Sequence, residues 1–219
     1  MSPRPRAVVR AAARFMMALA AALALAVPAS SAPAVGFVEE WTGTTLHGWT
    51  GGSIYSNPGT GGTAGPGDGY LVVATTTTTH LGAMSSGPEY AGDWLAAGIT
   101  RVAFWLRDVG VAQPLEIHFA VGNSYNFWQY NTPFVPTPVW TEFYVSTESS
   151  FGWTQIIGPG TFADALRNVD RVLVRHDRAP YFQTPDAVRG DFGIDHLQLL
   201  SSATLAATPT WGRLKSLYR

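Results

Sequence analysis

The chain has 219 residues, 14 basic and 15 acidic side chains, 46% hydrophobic and 13% charged residues, and no cysteine. The lack of cysteine excludes a disulfide scaffold, a Cys-ligated zinc site, an iron–sulfur protein, a thiol enzyme and a lipidated cysteine. A formal charge of −1 leaves no global basic field for a nucleic acid partner, and 23 Gly, 15 Pro, 8 Trp, 8 Tyr and 11 Phe suit short strands joined by many turns.

Residues 1–34 have the make-up of an export signal. Arg4, Arg6, Arg10 and Arg14 form a basic start, residues 15–27 are an uncharged apolar run of 13, and Pro28, Ser30, Ser31, Ala32 and Ala34 form a small-residue exit. Thirteen residues are too few to span a bilayer, which needs about 20. The Ala32-Pro33-Ala34 triplet places cleavage after Ala34. The mature chain then carries 10 basic against 15 acidic side chains and no transmembrane helix, as a secreted or cell-surface protein.

From residue 35 onward the hydrophobic pattern has period two. Val102, Phe104 and Leu106 alternate with Ala103, Trp105 and Arg107. After a turn over residues 110–114, Leu115, Ile117, Phe119 and Val121 alternate with Glu116, His118 and Ala120. The short Gly/Pro turn predicts that these two runs pair antiparallel. Further strands are expected at 37–41, 70–75, 78–84, 125–131, 140–145, 171–176 and 194–200, about ten in all, which is an all-β, two-sheet antiparallel sandwich over residues 35–200. Residues 57–69 read as a mobile loop; no glycine phosphate-cradle pattern is present. The five threonines 75–79 favour strand. Phe162, Ala165, Leu166 and Val169, with Thr161 placed to cap, make the one plausible helix of the body.

The ordered series F-V-E-E-W…H-G-W (37–49), G-D-G-Y-L-V-V (67–73), P-E-Y-A-G-D-W (88–94), G-I-T-R-V-A-F-W-L (98–106), W-T-E-F-Y-V (140–145), N-V-D-R-V-L-V-R (168–175) and F-G-I-D-H-L-Q-L (192–199) resembles laminin B (domain IV)-type modules. These belong with the galactose-binding-like jelly rolls that include many carbohydrate-binding modules. The resemblance implies an exported jelly-roll module with a structural or recognition role and no catalysis of its own. In such jelly rolls a carboxylate on the first strand and one beside the last often share a structural Ca²⁺, which points to Glu39 or Glu40 with Asp191 or Asp195; hard oxygen ligands are what that ion requires.

The catalytic search is mostly negative. No H-E-x-x-H or G-x-S-x-G occurs, and His47, His80, His118, His176 and His196 are scattered without metal-ligand spacing. A jelly-roll glycosidase needs two carboxylates about 5 to 9.5 Å apart, and only Glu116 and Glu142 lie inside strands that could face each other. A sugar-binding face has more support. If Val102, Phe104, Ile117 and Phe119 point inward, then Trp105, Arg107 and His118 point outward, joined by Asn126, Trp128, Gln129 and Tyr130. Sugar rings stack their C–H faces on aromatic planes, and their hydroxyls need amide, carboxylate or guanidinium partners. The alternative for Trp105 and Trp128 is a second small core beneath loops. Tyr181 and Phe182 are a further aromatic pair at the sandwich edge.

After Leu200 an Ala/Thr/Ser/Pro linker leads to T-W-G-R-L-K-S-L-Y-R (210–219), so residues 201–219 form a linker and tail. The pattern resembles a short tail on otherwise unrelated exported bacterial proteins, where it would dock to an export or surface component. The functional expectation is an exported, non-catalytic binding module for carbohydrate. A structural or adhesion module with a cell-surface protein partner, and a jelly-roll glycoside hydrolase or polysaccharide lyase, are the alternatives.

Overall fold

In a computed structural model of the protein, the structure describes residues 32–110 and 114–202. The expected export segment up to residue 31, part of the 110–114 turn and the expected tail from residue 203 lie outside the described residues. Among the described residues no helix is long and apolar enough to cross a membrane.

Eleven strands form two antiparallel sheets: β1 (Val38–Glu39), β2 (Ile54–Ser56), β3 (Leu71–His80), β4 (Gly82–Ser85), β5 (Arg101–Arg107), β6 (Ile117–Asn123), β7 (Asn126–Tyr130), β8 (Thr141–Ser146), β9 (Trp153–Ile157), β10 (Arg171–His176) and β11 (Ala187–Leu200). The larger sheet runs β2-β3-β11-β5-β8, with β1 also paired to β11, and the smaller runs β4-β10-β6-β7-β9. The fold is a jelly-roll sandwich. Among the described residues two short helices sit beside it: α1 (Trp94–Ala97), which the sequence pattern does not announce, and α2 (Phe162–Arg167). Thr161 caps α2 as expected, in a reciprocal capping box with Asp164.

The expected pairing of the two runs around residue 110 does not form. β5 lies between β11 and β8 in the larger sheet, while β6 lies between β10 and β7 in the smaller. The physical reason is that both strands are apolar on one face and bury that face in the same core from opposite sides. Phe104 and Phe119 stack across the sandwich, ring centroids 6.1 Å apart, with Phe134 edge-on to Phe104 at 5.2 Å. Val102, Phe104, Leu106, Ile117, Phe119, Val121, Val172, Val174 and Leu197 are all fully buried, as the alternation requires. The threonine run continues β3 as strand out to His80.

Residues 57–69 are tightly tied. Asn57 donates from Nδ2 to the carbonyls of Trp41 and Thr45 (both 2.8 Å), and its Oδ1 accepts from the Gly59 and Tyr70 amides. The Thr63 amide donates to Asp195 at 2.7 Å. A glycine loop without core side chains is thus ordered by backbone hydrogen bonds to fixed acceptors, which period analysis does not see.

Candidate functional site

Inward-pointing Val102, Phe104 and Leu106 on β5 leave Arg101, Ala103, Trp105 and Arg107 on the outer face of the larger sheet. Cross-strand register then places Ser146 beside Arg101, Tyr144 beside Ala103 and Glu142 beside Trp105. On the other flank of Trp105 stands Asp195 of β11. This period-two bookkeeping builds an outward row of aromatic, cationic, anionic and hydroxyl groups along β5 and β8.

Within the row Tyr144 is 39% exposed, and the Arg101 guanidinium carbon stands 3.6 Å from its ring centroid. The pair is a cation–π contact, which braces the tyrosine ring. The neighbouring Glu142 carboxylate accepts from the Tyr144 hydroxyl, and this raises the phenol above its ordinary pKa. At the Arg101 end the row opens into a cavity of about 310 Å³ lined by Arg101, Tyr130, Tyr144, Ser146, Glu148, Ser202 and Thr100. Ser202 Oγ donates to Glu148 at 2.5 Å, and the Thr100 and Ser202 hydroxyls share a hydrogen bond of 2.8 Å. Aromatic faces beside paired donors and acceptors suit a ligand with apolar ring faces and hydroxyl edges.

The other end of the row is closed. The Arg107 guanidinium lies 5.1 Å from the Tyr70 ring and 5.2 Å from the Trp140 ring, and donates to Tyr70 Oη (3.2 Å) and Gly61 O (3.4 Å). Trp140 Nε1 also donates to Gly61 O, at 3.0 Å. Arg107 therefore anchors the glycine loop rather than facing solvent.

The remaining expected binding residues fall elsewhere. Trp128 and Tyr130 turn toward the sandwich interior, because they share a face with Val121 and Trp153 across β6 and β9. Trp128 packs on Phe162 at 5.5 Å and Tyr130 stacks on Phe134 at 5.9 Å. Trp128 thus packs on the main core rather than in a second small core beneath loops, while Tyr130 also reaches the cavity at the sandwich edge. Asn126 is buried, and its amide is engaged by Thr161 O, Trp128 Nε1 and Gln155 Nε2. His118 and Gln129, expected to be exposed, are fully buried on the outer face of the smaller sheet. A strap over residues 177–186 covers them. Arg175 donates to Gln129 (2.6 Å), Asp177 (2.7 Å) and the strap carbonyls of Phe182 and Gln183, and the Tyr181 ring sits 5.0 Å from the His118 ring. Tyr181 is half-buried and donates to Asn131 O at 2.8 Å, whereas Phe182 is exposed. The sequence-based set is therefore divided between two sheets, with Trp105 in the outward row of β5 and Tyr130 lining the cavity. Arg101, Tyr144 and Glu148 were missed. The alternation of residues 140–145 already places Tyr144 opposite Val145, so a face assignment for that strand would have found it.

The four expected calcium ligands do not gather. Glu39 is buried and contacts His47 (2.5 Å), Trp49 Nε1 (3.4 Å) and Tyr90 Oη (3.3 Å). Glu40 pairs with His196 at 2.7 Å, and Asp191 accepts from the Val109 amide at 3.2 Å. Among the described residues no group of three or more His, Cys, Asp or Glu could hold a metal ion. Asp195 does meet another carboxylate: a Cβ on Gly62 would stand within 3.0 Å of Asp195 Oδ2, Asp68 Oδ2 and Gly69 O. Burial, with Asp68 adding repulsion against the amides of Thr63 and His196, raises Asp195 from 3.8 to about 6. Glu116 falls just before β6 rather than inside a strand, beside Arg178 at 3.5 Å, and Glu142 lies on β8 beside Trp105 in the other sheet.

Neither the protein-family models nor the curated proteins give a match to this sequence. Solved structures do. The family 11 carbohydrate-binding module from Clostridium thermocellum, in complex with a β-1,3-1,4-mixed-linked tetrasaccharide, is 19% identical, with 77% of this chain and 97% of that chain covered and a TM-score of 0.49. The C-terminal family 22 carbohydrate-binding module of Clostridium thermocellum Xyn10B is 14% identical, covering 78% and 97%, with a TM-score of 0.48. An exo-β-agarase is 14% identical over 74% of this chain and 24% of that chain, with a TM-score of 0.52. At these identities the likeness is one of fold.

Proposed function

We propose that the protein is a non-catalytic carbohydrate-binding module whose ligand lies on the outer face of β5 and β8. The observation that carries this reading is the exposed Tyr144 ring, braced by Arg101 and continued by Trp105, beside the carboxylates of Glu142 and Glu148 and a rim of hydroxyls. In water such a surface loses little by stacking a sugar ring, and its donors and acceptors replace the hydration of the sugar hydroxyls. The motif order that resembles laminin B (domain IV)-type modules is read as the same jelly-roll frame put to recognition. Export rests on residues 1–34 and surface docking on residues 201–219, both from sequence.

A structural Ca²⁺ is kept in this reading with a different ligand set. Asp195 and Asp68 lie close together, their Oδ2 atoms accepting from the Thr63 and Ala64 amides; burial, with Asp68 adding to it, raises Asp195, and a divalent cation bound beside the two would favour its ionised form. Glu39, Glu40 and Asp191 are committed to other partners.

A glycan-array screen of the purified protein, with and without chelator, tests the carbohydrate reading, with Tyr144→Ala and Trp105→Ala as site controls. Each variant should lose at least about tenfold in affinity, about 1.4 kcal/mol. Retention of no glycan, or binding indifferent to both substitutions, overturns it.

A further inference from the structure

The cavity beside Tyr144 does not end at Glu148. The same residue lines a second cavity of about 240 Å³ on its far side, where β8 runs out into residues 147–152 and meets α2. The floor of this second cavity is apolar, formed by the buried Phe162 and Leu166. Its rim carries Ser149, Ser150 and Thr161, with Ala163 of α2 at the mouth. Phe151, on the loop that supplies the two serines, is 92% exposed. Glu148 lines both spaces: its amide donates to Ser146 Oγ at 3.3 Å, and its carboxylate accepts from Ser202, which lines the first cavity.

Resting on the carbohydrate reading, we infer that the ligand is a linear oligosaccharide chain that occupies both cavities, with successive stretches of sugar on either side of Glu148. Each space repeats the same chemistry, an apolar surface for the C–H face of a ring and hydroxyl or carboxylate groups for its edge. At 310 and 240 Å³ each lies at or below the small end of ligand sites, so one cavity alone suits a short fragment and the pair suits a chain. Glu148 is the one carboxylate able to accept from sugar hydroxyls on both sides. It fixes the register of the chain.

Isothermal titration of the full protein tests this with two probe pairs, a β-1,3-1,4-mixed-linked glucan tetrasaccharide with its disaccharide, and xylotetraose with xylobiose. For the pair that binds, the tetrasaccharide should bind at least about tenfold tighter than the disaccharide. Ala163→Arg fills the mouth of the second cavity with a good helix former, and should bring the tetrasaccharide down to the affinity of the disaccharide. Ser150→Trp, on the loop, should do the same and guards against a folding effect confined to α2. Equal affinities of the unaltered protein for the two lengths, or a length gain that survives both substitutions, overturns the two-cavity chain. If the unaltered protein binds neither length of either glycan the two-cavity chain falls, and if it also retains nothing on the array the carbohydrate reading itself falls.

Discussion

Asp195 offers a quantitative test of how the glycine loop is held. Its side chain is fully buried, accepts from the amides of Thr63 (2.7 Å) and His196 (2.8 Å), and faces Asp68. Burial and that neighbour raise its pKa from 3.8 to about 6. A carboxyl whose folded pKa is raised destabilises the fold wherever it must be ionised. The penalty is absent below about pH 4, grows as pH rises through the window from 4 to 6, and is complete above it. The gap between 3.8 and about 6, at about 1.4 kcal/mol per pH unit, amounts to about 3 kcal/mol. Asp195→Asn is isosteric and does not titrate. Whatever it costs in altered hydrogen bonds is the same at every pH, so only the pH-dependent difference between the two proteins is read. Urea unfolding of both proteins in excess chelator at pH 4, 5, 6 and 7 measures it. Relative to the variant, the unaltered protein should gain about 2 kcal/mol as pH falls from 7 to 4, and saturating calcium should remove most of that gain by stabilising the ionised form. A difference constant to within about 1 kcal/mol in chelator, or one of opposite sign, refutes the buried-carboxyl reasoning.

Other outcomes follow from the same structure. Phe104→Ala, at a fully buried ring packed on Phe119 and Phe134, should cost about 3 to 5 kcal/mol in urea unfolding. His118 and His176 are held neutral with pKa values lowered mainly by burial, so their contribution is present above about pH 6.5 and is lost as pH falls below it. Replacing both by Gln should flatten that loss in the melting curve. Arg175→Ala leaves the buried Asp177 without its guanidinium partner, and should destabilise by about 3 to 5 kcal/mol while freeing the strap to proteolysis between residues 177 and 186. Calcium should raise the melting temperature and chelation should lower it if Asp195 and Asp68 hold the ion, and an unchanged curve removes the site.

Alternation along 102–106 and 117–121 was enough to determine a sandwich and to name most of its core, because a period of two forces one face of a strand into the apolar layer. The Thr161 cap was likewise legible, since capping is a contact between residues three apart. What sequence could not determine was which sheet each strand joins. The 110–114 turn reads as a hairpin, but burial of Phe104 against Phe119 puts the two strands in opposite sheets. That choice divided the expected site: Trp105 went to one outer face, His118 and Gln129 to the other, and Trp128 to the interior. Arg107 and Gln129, polar and plausible as ligand contacts, were taken up by a loop and a strap that are distant in sequence. Local spacing fixes which face of a strand a side chain occupies. Whether that face meets water, another loop or a ligand depends on contacts between residues far apart in the chain, and only the packed tertiary structure brings those together.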